Sequence, residues 1–129
     1  MKINIGPFPT HRFYHNWLYN WFGYSSKQKT SIKIHNYDTW SMDHTLAPII
    51  LPMLKQLKET KHGYPAELTE QEWDEILDEM IWAFEQKCRD DWMEDYDYNK
   101  WDSEGAKAHQ ERMTNGFRLF GKYYENLWD

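Results

Sequence analysis

The 129-residue chain is one domain's length, enough to bury about 65% of the surface its unfolded form would expose, and it carries 15 Lys and Arg against 21 Asp and Glu for a net charge of −6. Its single cysteine, Cys88, excludes an internal disulfide framework, and its longest apolar run, Leu46 to Leu54, is nine residues with two prolines, against the about 20 that a membrane-spanning helix needs. Fifteen bases in an acidic chain also lack the footprint of a strong nucleic-acid binder.

The opening "MKINIGPFPTHRF" has no apolar central region of the kind a signal peptide uses, so the expected setting is a reducing cytoplasm. Eight Trp, nine Tyr and six Phe supply a core despite the polar average. The same side chains stack on bases and sugars, and composition does not separate the two uses. Charge is distributed unevenly. Residues 1–37 hold five Lys and Arg and no acid, whereas residues 66–105 hold fifteen acids and three bases. Either the molecule has two opposed faces or an acidic hairpin covers a basic floor within it.

In chain order, "KINI" at 2–5 and "TSIKIHNY" at 30–37 alternate polar and apolar residues and predict a short strand pair. Between them Thr10 caps an expected short helix over "HRFYHNWLYNWF", ended by Gly23. A second helix begins at Ser41 or Asp43 and stops at Gly63. It is apolar nearly all round (Leu46, Ile49, Ile50, Leu51, Met53, Leu54, Leu57), which predicts a central position, while Pro48 and Pro52 predict a kink or a start near Pro48. The third helix opens with the capping box "TEQE" at 69–72 and carries Trp73, Ile76, Leu77, Met80, Phe84 and Cys88 at helical spacing. Residues 90–105 lack that period and read as an acidic, aromatic loop. A last helix runs from about Glu104 to Leu127, with Ala106, His109, Met113, Phe117, Phe120, Tyr124 and Leu127 on one stripe and Gly116 and Gly121 as places of close approach. The expected fold is a single α+β domain, mainly α: three longer helices packed together, with a small N-terminal two-stranded element and a short aromatic helix.

Two polar groups are candidates for a ligand site. Trp40, Ser41, Asp43 and His44 crowd the entrance of the second helix, where Asp43 caps, or where the backbone N–H groups, Ser41 and His44 donate to a ligand stacked on Trp40. His109 interrupts an apolar stripe with Arg112 one turn on; it is either a core imidazole bonded within the fold or part of a pocket floor with donors for phosphate or carboxylate. A metal reading would join Asp43 and His44 to Glu79, Glu85 or His109, but no spaced metal-ligand motif is present. Glu75, Asp78 and Glu79 would be the acids of a metal-dependent nucleotide hydrolase, without the second acidic helix such a site demands. No phosphate-binding loop, nucleophile elbow or cofactor motif occurs.

The segments "DTWSMDHTLAPIILPMLKQLKETKHG" (38–63) and "RMTNGFRLFGKYYENLWD" (112–129), about a third of the chain, resemble small proteins encoded by tailed bacteriophages and their marine relatives. Pro48 departs from that pattern, which has a helix-compatible apolar residue there. The resemblance implies a viral origin and expression in the cytoplasm of an infected bacterium, or a place in the virion; it transfers no activity and no site residues. By analogy with viral scavengers of host signalling nucleotides, the expectation is a small binding protein for a nucleotide-like ligand, acting against host defence. In that expectation Trp40 stacks, Asp43 and His44 orient, and His109 and Arg112 make polar or anionic contacts. The alternatives are a protein-interaction or virion component working through aromatic and acidic surfaces, and a metal-dependent nucleotide hydrolase. Membrane partners are not expected, and a homo-oligomer is left open.

Overall fold

The computed structural model describes residues 1–6, 29–89 and 103–129. The expected aromatic helix after Thr10, its Gly23 stop and most of the acidic loop at 90–105 lie outside the described residues. Contacts divide the chain into two compact units, Met1–Trp40 and Ser41–Asp129, with the boundary just beyond the change of charge at residue 38. The described elements are mainly helical with one small antiparallel sheet, the expected α+β class.

In the first unit, β1 (Lys2–Ile5) pairs antiparallel with β2 (Thr30–Lys33), Lys2 opposite Lys33 and Ile5 opposite Thr30. The alternation in "KINI" and the β-branched "TSIK" explain both strands. A 3-10 turn, Asn36–Thr39, follows. Asp38 is buried beneath it, accepting the His35 N–H at 2.8 Å and the Met1 amino group at 3.0 Å, and these bonds hold its carboxyl below the usual carboxylate range.

The second unit is built from α1 (Met42–Thr60), α2 (Glu70–Cys88) and α3 (Ser103–Lys122), closed by a 3-10 turn, Tyr124–Asn126. α2 packs against both α1 and α3 and is the central helix. That corrects the expectation for α1, of which only Ala47 and Leu54 are buried while Met53 stays 67% exposed. The apolar residues of α1 are more numerous than its contact face. Its helix begins at Met42 and runs through both prolines. Pro48 and Pro52 lie on the exposed side, where the His44 and Pro48 carbonyls that lose their helical donors can meet water. It ends at Thr60, before the expected Gly63, because Lys61 turns to an extended backbone.

α2 starts as the sequence dictates. The Thr69 hydroxyl accepts the Glu72 N–H at 3.2 Å and the Glu72 carboxylate accepts the Thr69 N–H at 2.7 Å, a reciprocal cap. Trp73, Leu77, Met80 and Phe84 join Ala47, Leu54 and Tyr123 in the core. Cys88, expected on this stripe, ends the helix and is exposed. Aromatic rings lock α2 to the C-terminal segment edge to face: Trp73 on Tyr123 at 5.5 Å, and Phe84 on Phe117 and Phe120 at 5.2 and 5.1 Å. α3 gives way to the 3-10 turn after Lys122, so the stripe shifts by one residue. Tyr123 is buried, and Tyr124, expected inside, is 65% exposed.

The two glycines of α3 behave differently. A Cβ on Gly116 would stand 2.4 Å from Ala83 Cβ and 2.7 Å from the Glu79 carbonyl oxygen, so the helices approach closely there; a Cβ on Gly121 meets nothing within 4 Å, against expectation. Gly116→Ala should therefore destabilise by about 1–3 kcal/mol through overpacking, despite the better helix propensity of Ala. Gly121→Ala should stabilise by up to about 1 kcal/mol. Urea unfolding of the two variants beside the parent checks the opposite signs.

Candidate functional site

The connection 61–69 is short, so α1 and α2 run antiparallel and the entrance of α1 meets the end of α2. Salt bridges run along the seam: Asp43 with Lys87 at 2.8 Å, Lys55 with Glu85 at 2.8 Å, Lys58 with Asp78, and Lys61 with Asp74 at 2.8 Å. Three acids of α2 are thus answered by lysines in or just after α1, and Asp43 of α1 by Lys87 of α2. Apart from Lys61–Asp74, whose lysine side chain is only 9% exposed, these are solvated pairs that contribute about 0–1 kcal/mol each, so they fix register more than they hold the helices together.

At the α1 entrance, the His44 Nδ1 lies 3.2 Å from the Lys87 carbonyl oxygen. A carbonyl only accepts, so Nδ1 carries the proton and, in the neutral ring, Nε2 carries the lone pair. His44 thereby covers one of the last carbonyls that α2 leaves without a helical donor.

Across from it, His109 is held on α3 by a buried polar relay. Gln86, buried in α2, offers its side-chain oxygen to Arg89 Nη1 at 3.1 Å and to His109 Nε2 at 3.0 Å. Because a guanidinium only donates, the amide oxygen is fixed on that side, and His109 Nε2 must be the protonated nitrogen. Trp82 meets the His109 ring edge to face at 5.2 Å. The two imidazoles are therefore set in opposite tautomers by their partners.

Both line one cleft of about 270 Å³ with Gln86, Lys87, Gln110 and Met113. Of the expected site residues, His44 and His109 are brought together there from α1 and α3. Asp43 does not line the cleft; its carboxylate holds Lys87 Nζ, and that hydrogen bond, with one from the His44 backbone, keeps its carboxyl below the usual range. Ser41 sits at the cap position of α1 without a side-chain capping bond; its carbonyl accepts from the Thr45 N–H and hydroxyl, both at 3.0 Å. Arg112 is not a cleft donor. Its guanidinium makes a bidentate pair with Glu79 (2.8 and 3.1 Å) and lies 3.9 Å from the Trp82 ring centre. Trp40 ends the first unit and is 91% exposed.

Lys87, Gln86 and Gln110 were not among the expected residues. The antiparallel hairpin is the signal for Lys87, since it places the end of α2 opposite Asp43. Gln86 follows from a central helix needing a second stripe: Glu79, Ala83 and Gln86 face α3 while Trp73 and Leu77 enter the common core. Among the described residues, no three His, Cys, Asp or Glu side chains are placed to share a metal ion. The acids of the hydrolase and metal readings are otherwise engaged, Glu79 by Arg112, Asp78 by Lys58 and Glu85 by Lys55. Comparison of the chain with protein-family models, curated proteins and solved structures finds no match. No described helix is long and apolar enough to cross a membrane.

The Asp43 shift gives a pH prediction. A carboxyl whose folded pKa is depressed contributes stability above its unfolded value, near 3.8, and loses it as pH falls through the folded value. Carbon-detected NMR titration should find Asp43 protonating below 3.8, and Lys87→Met should move that titration up towards the ordinary range.

Proposed function

We propose that the protein is a small binding protein for a nucleotide-like molecule, held in the cleft between the α1 entrance, the end of α2 and α3. The observation that carries this reading is the convergence of His44, Lys87 and His109, from three helices, on one concavity. Fixed donors and acceptors on rigid elements, with Met113 as an apolar wall, are what a small-molecule site needs. About 270 Å³ lies just under the usual range for whole ligands, which starts near 300 Å³, and suits one moiety such as a ribose phosphate. Against the expectation, Lys87 takes the anion-binding role given to Arg112. A scavenger of a host signalling nucleotide, made by a virus in an infected bacterium, needs binding groups of this kind. Sequestration requires affinity and no turnover.

Calorimetric titration with a panel of linear and cyclic nucleotides tests the reading. The parent should give saturable heats with at least one. His109→Leu, which leaves Gln86 its Arg89 donor, should stay folded and lose at least tenfold in affinity. Silence across the panel would overturn the reading.

A second reading, a protein-interaction or virion component, is favoured by exposed rings in the second unit. Tyr64 and Trp128, the latter 74% exposed, line another cleft of about 230 Å³ with Pro65 and Asn126. Retention of one host or virion protein that is lost in Trp128→Ala and kept in His44→Ala would support it over the first.

A further inference from the structure

The cleft differs in charge from the rest of the molecule. Its described lining contains Lys87 and two imidazoles and no carboxylate, in a chain whose net charge is −6. A second concavity, lined by Leu68, Ile76 and Leu119, carries Glu72, Glu75 and the Arg112-paired Glu79. An anion is therefore favoured in the first and repelled from the second. The end of a helix usually discourages anions, but here the Lys87 carbonyl is already bonded to His44, which removes one exposed negative pole.

Lys87 itself is occupied. Its Nζ lies 2.8 Å from an oxygen of Asp43, whose side chain is 58% exposed and sits outside the cleft lining. A solvated pair of this strength is readily exchanged for a better anion. A phosphate offers more charge and more acceptor oxygens than Asp43 does, and Lys is a common point-charge partner for it. Beside it, His44 Nε2 lies 3.8 Å from the same Asp43 oxygen; once Asp43 is displaced, the ring protonated at Nδ1 presents Nε2 as an acceptor, which needs a donor such as a hydroxyl.

Resting on the reading of the cleft as a ligand site, we infer that Asp43 is a built-in stand-in for the anionic group of the ligand. The cleft takes a phosphate monoester next to a hydroxyl, as in a ribose phosphate, and Lys87 moves its ion pair from Asp43 to that phosphate while His44 Nε2 accepts from the hydroxyl. Asp43 then acts as an internal competitor. It keeps the ammonium satisfied when the cleft is vacant and weakens the binding of anions too poor to displace it.

The probe is ribose 5-phosphate, with ribose and inorganic phosphate as separate arms, followed by NMR titration of the full chain. Ribose 5-phosphate should shift the cleft resonances at lower concentration than either arm alone. Asp43→Asn, which keeps the shape of the side chain, should tighten its binding about three- to fivefold, the fold-change that corresponds to a solvated ion pair. Lys87→Met should weaken it at least tenfold. In the parent, saturation with ribose 5-phosphate should move the Asp43 titration up towards the ordinary range as its Lys87 bond is lost, a readout independent of any variant's folding. Unchanged or weaker binding in Asp43→Asn, or an Asp43 titration indifferent to the ligand, would overturn the stand-in. If nucleotides still bind in that case, the ligand-site reading stands alone. If neither ribose 5-phosphate nor any nucleotide binds, both fall.

Discussion

The near-contact of α3 with α2 at Gly116 is the constraint on which the second unit depends. With no Cβ at that position, the α3 backbone lies against Ala83 and the Glu79 carbonyl. Everything on that face of α3 inherits its place from this approach. Two turns towards the N-terminus, His109 comes opposite Gln86; towards the C-terminus, Phe117 and Phe120 close on Phe84, and Tyr123 reaches Trp73. A larger residue would open the helices and weaken the ring contacts and the polar relay together, because packed interiors yield little without loss.

That packing also explains why a buried amide and a half-buried imidazole are tolerated. Gln86 is costly to bury unless its oxygen is used, and Arg89 and His109 both donate to it. The relay fixes the orientation of the His109 ring from behind, while the Lys87 carbonyl fixes His44 from the other side of the cleft. Neither ring is left to choose its tautomer. A site whose polar groups are set by the scaffold loses less entropy on binding than one that must assemble around its ligand.

Local signals in the sequence were readable where they were local in the structure. The Thr69 to Glu72 cap, the Trp73, Leu77, Met80, Phe84 stripe and the alternation of β1 and β2 each report on a few neighbouring residues. Hydrophobic content misled for α1, because an apolar surface on a peripheral helix looks the same in sequence as one in the middle. Spacing misled for Arg112. One turn from His109 it resembles a second cleft donor, but its long side chain folds onto Trp82 and Glu79, partners 30 and 33 positions away along the chain. The meeting of His44 with His109 needed two helix pairings and one close approach, and no pattern within either segment encodes that. Lys87 was hidden for the same reason.

The account stands on the imidazoles being held by the scaffold around a shared cleft. Long-range proton–nitrogen correlation spectra of the histidine side chains, recorded at a pH where both rings are neutral, test this most directly. The bonds to the Lys87 carbonyl and the Gln86 amide oxygen predict a ring protonated at Nδ1 for His44 and at Nε2 for His109. Two rings with the same tautomer, or averaged mixtures typical of free imidazole, would contradict it.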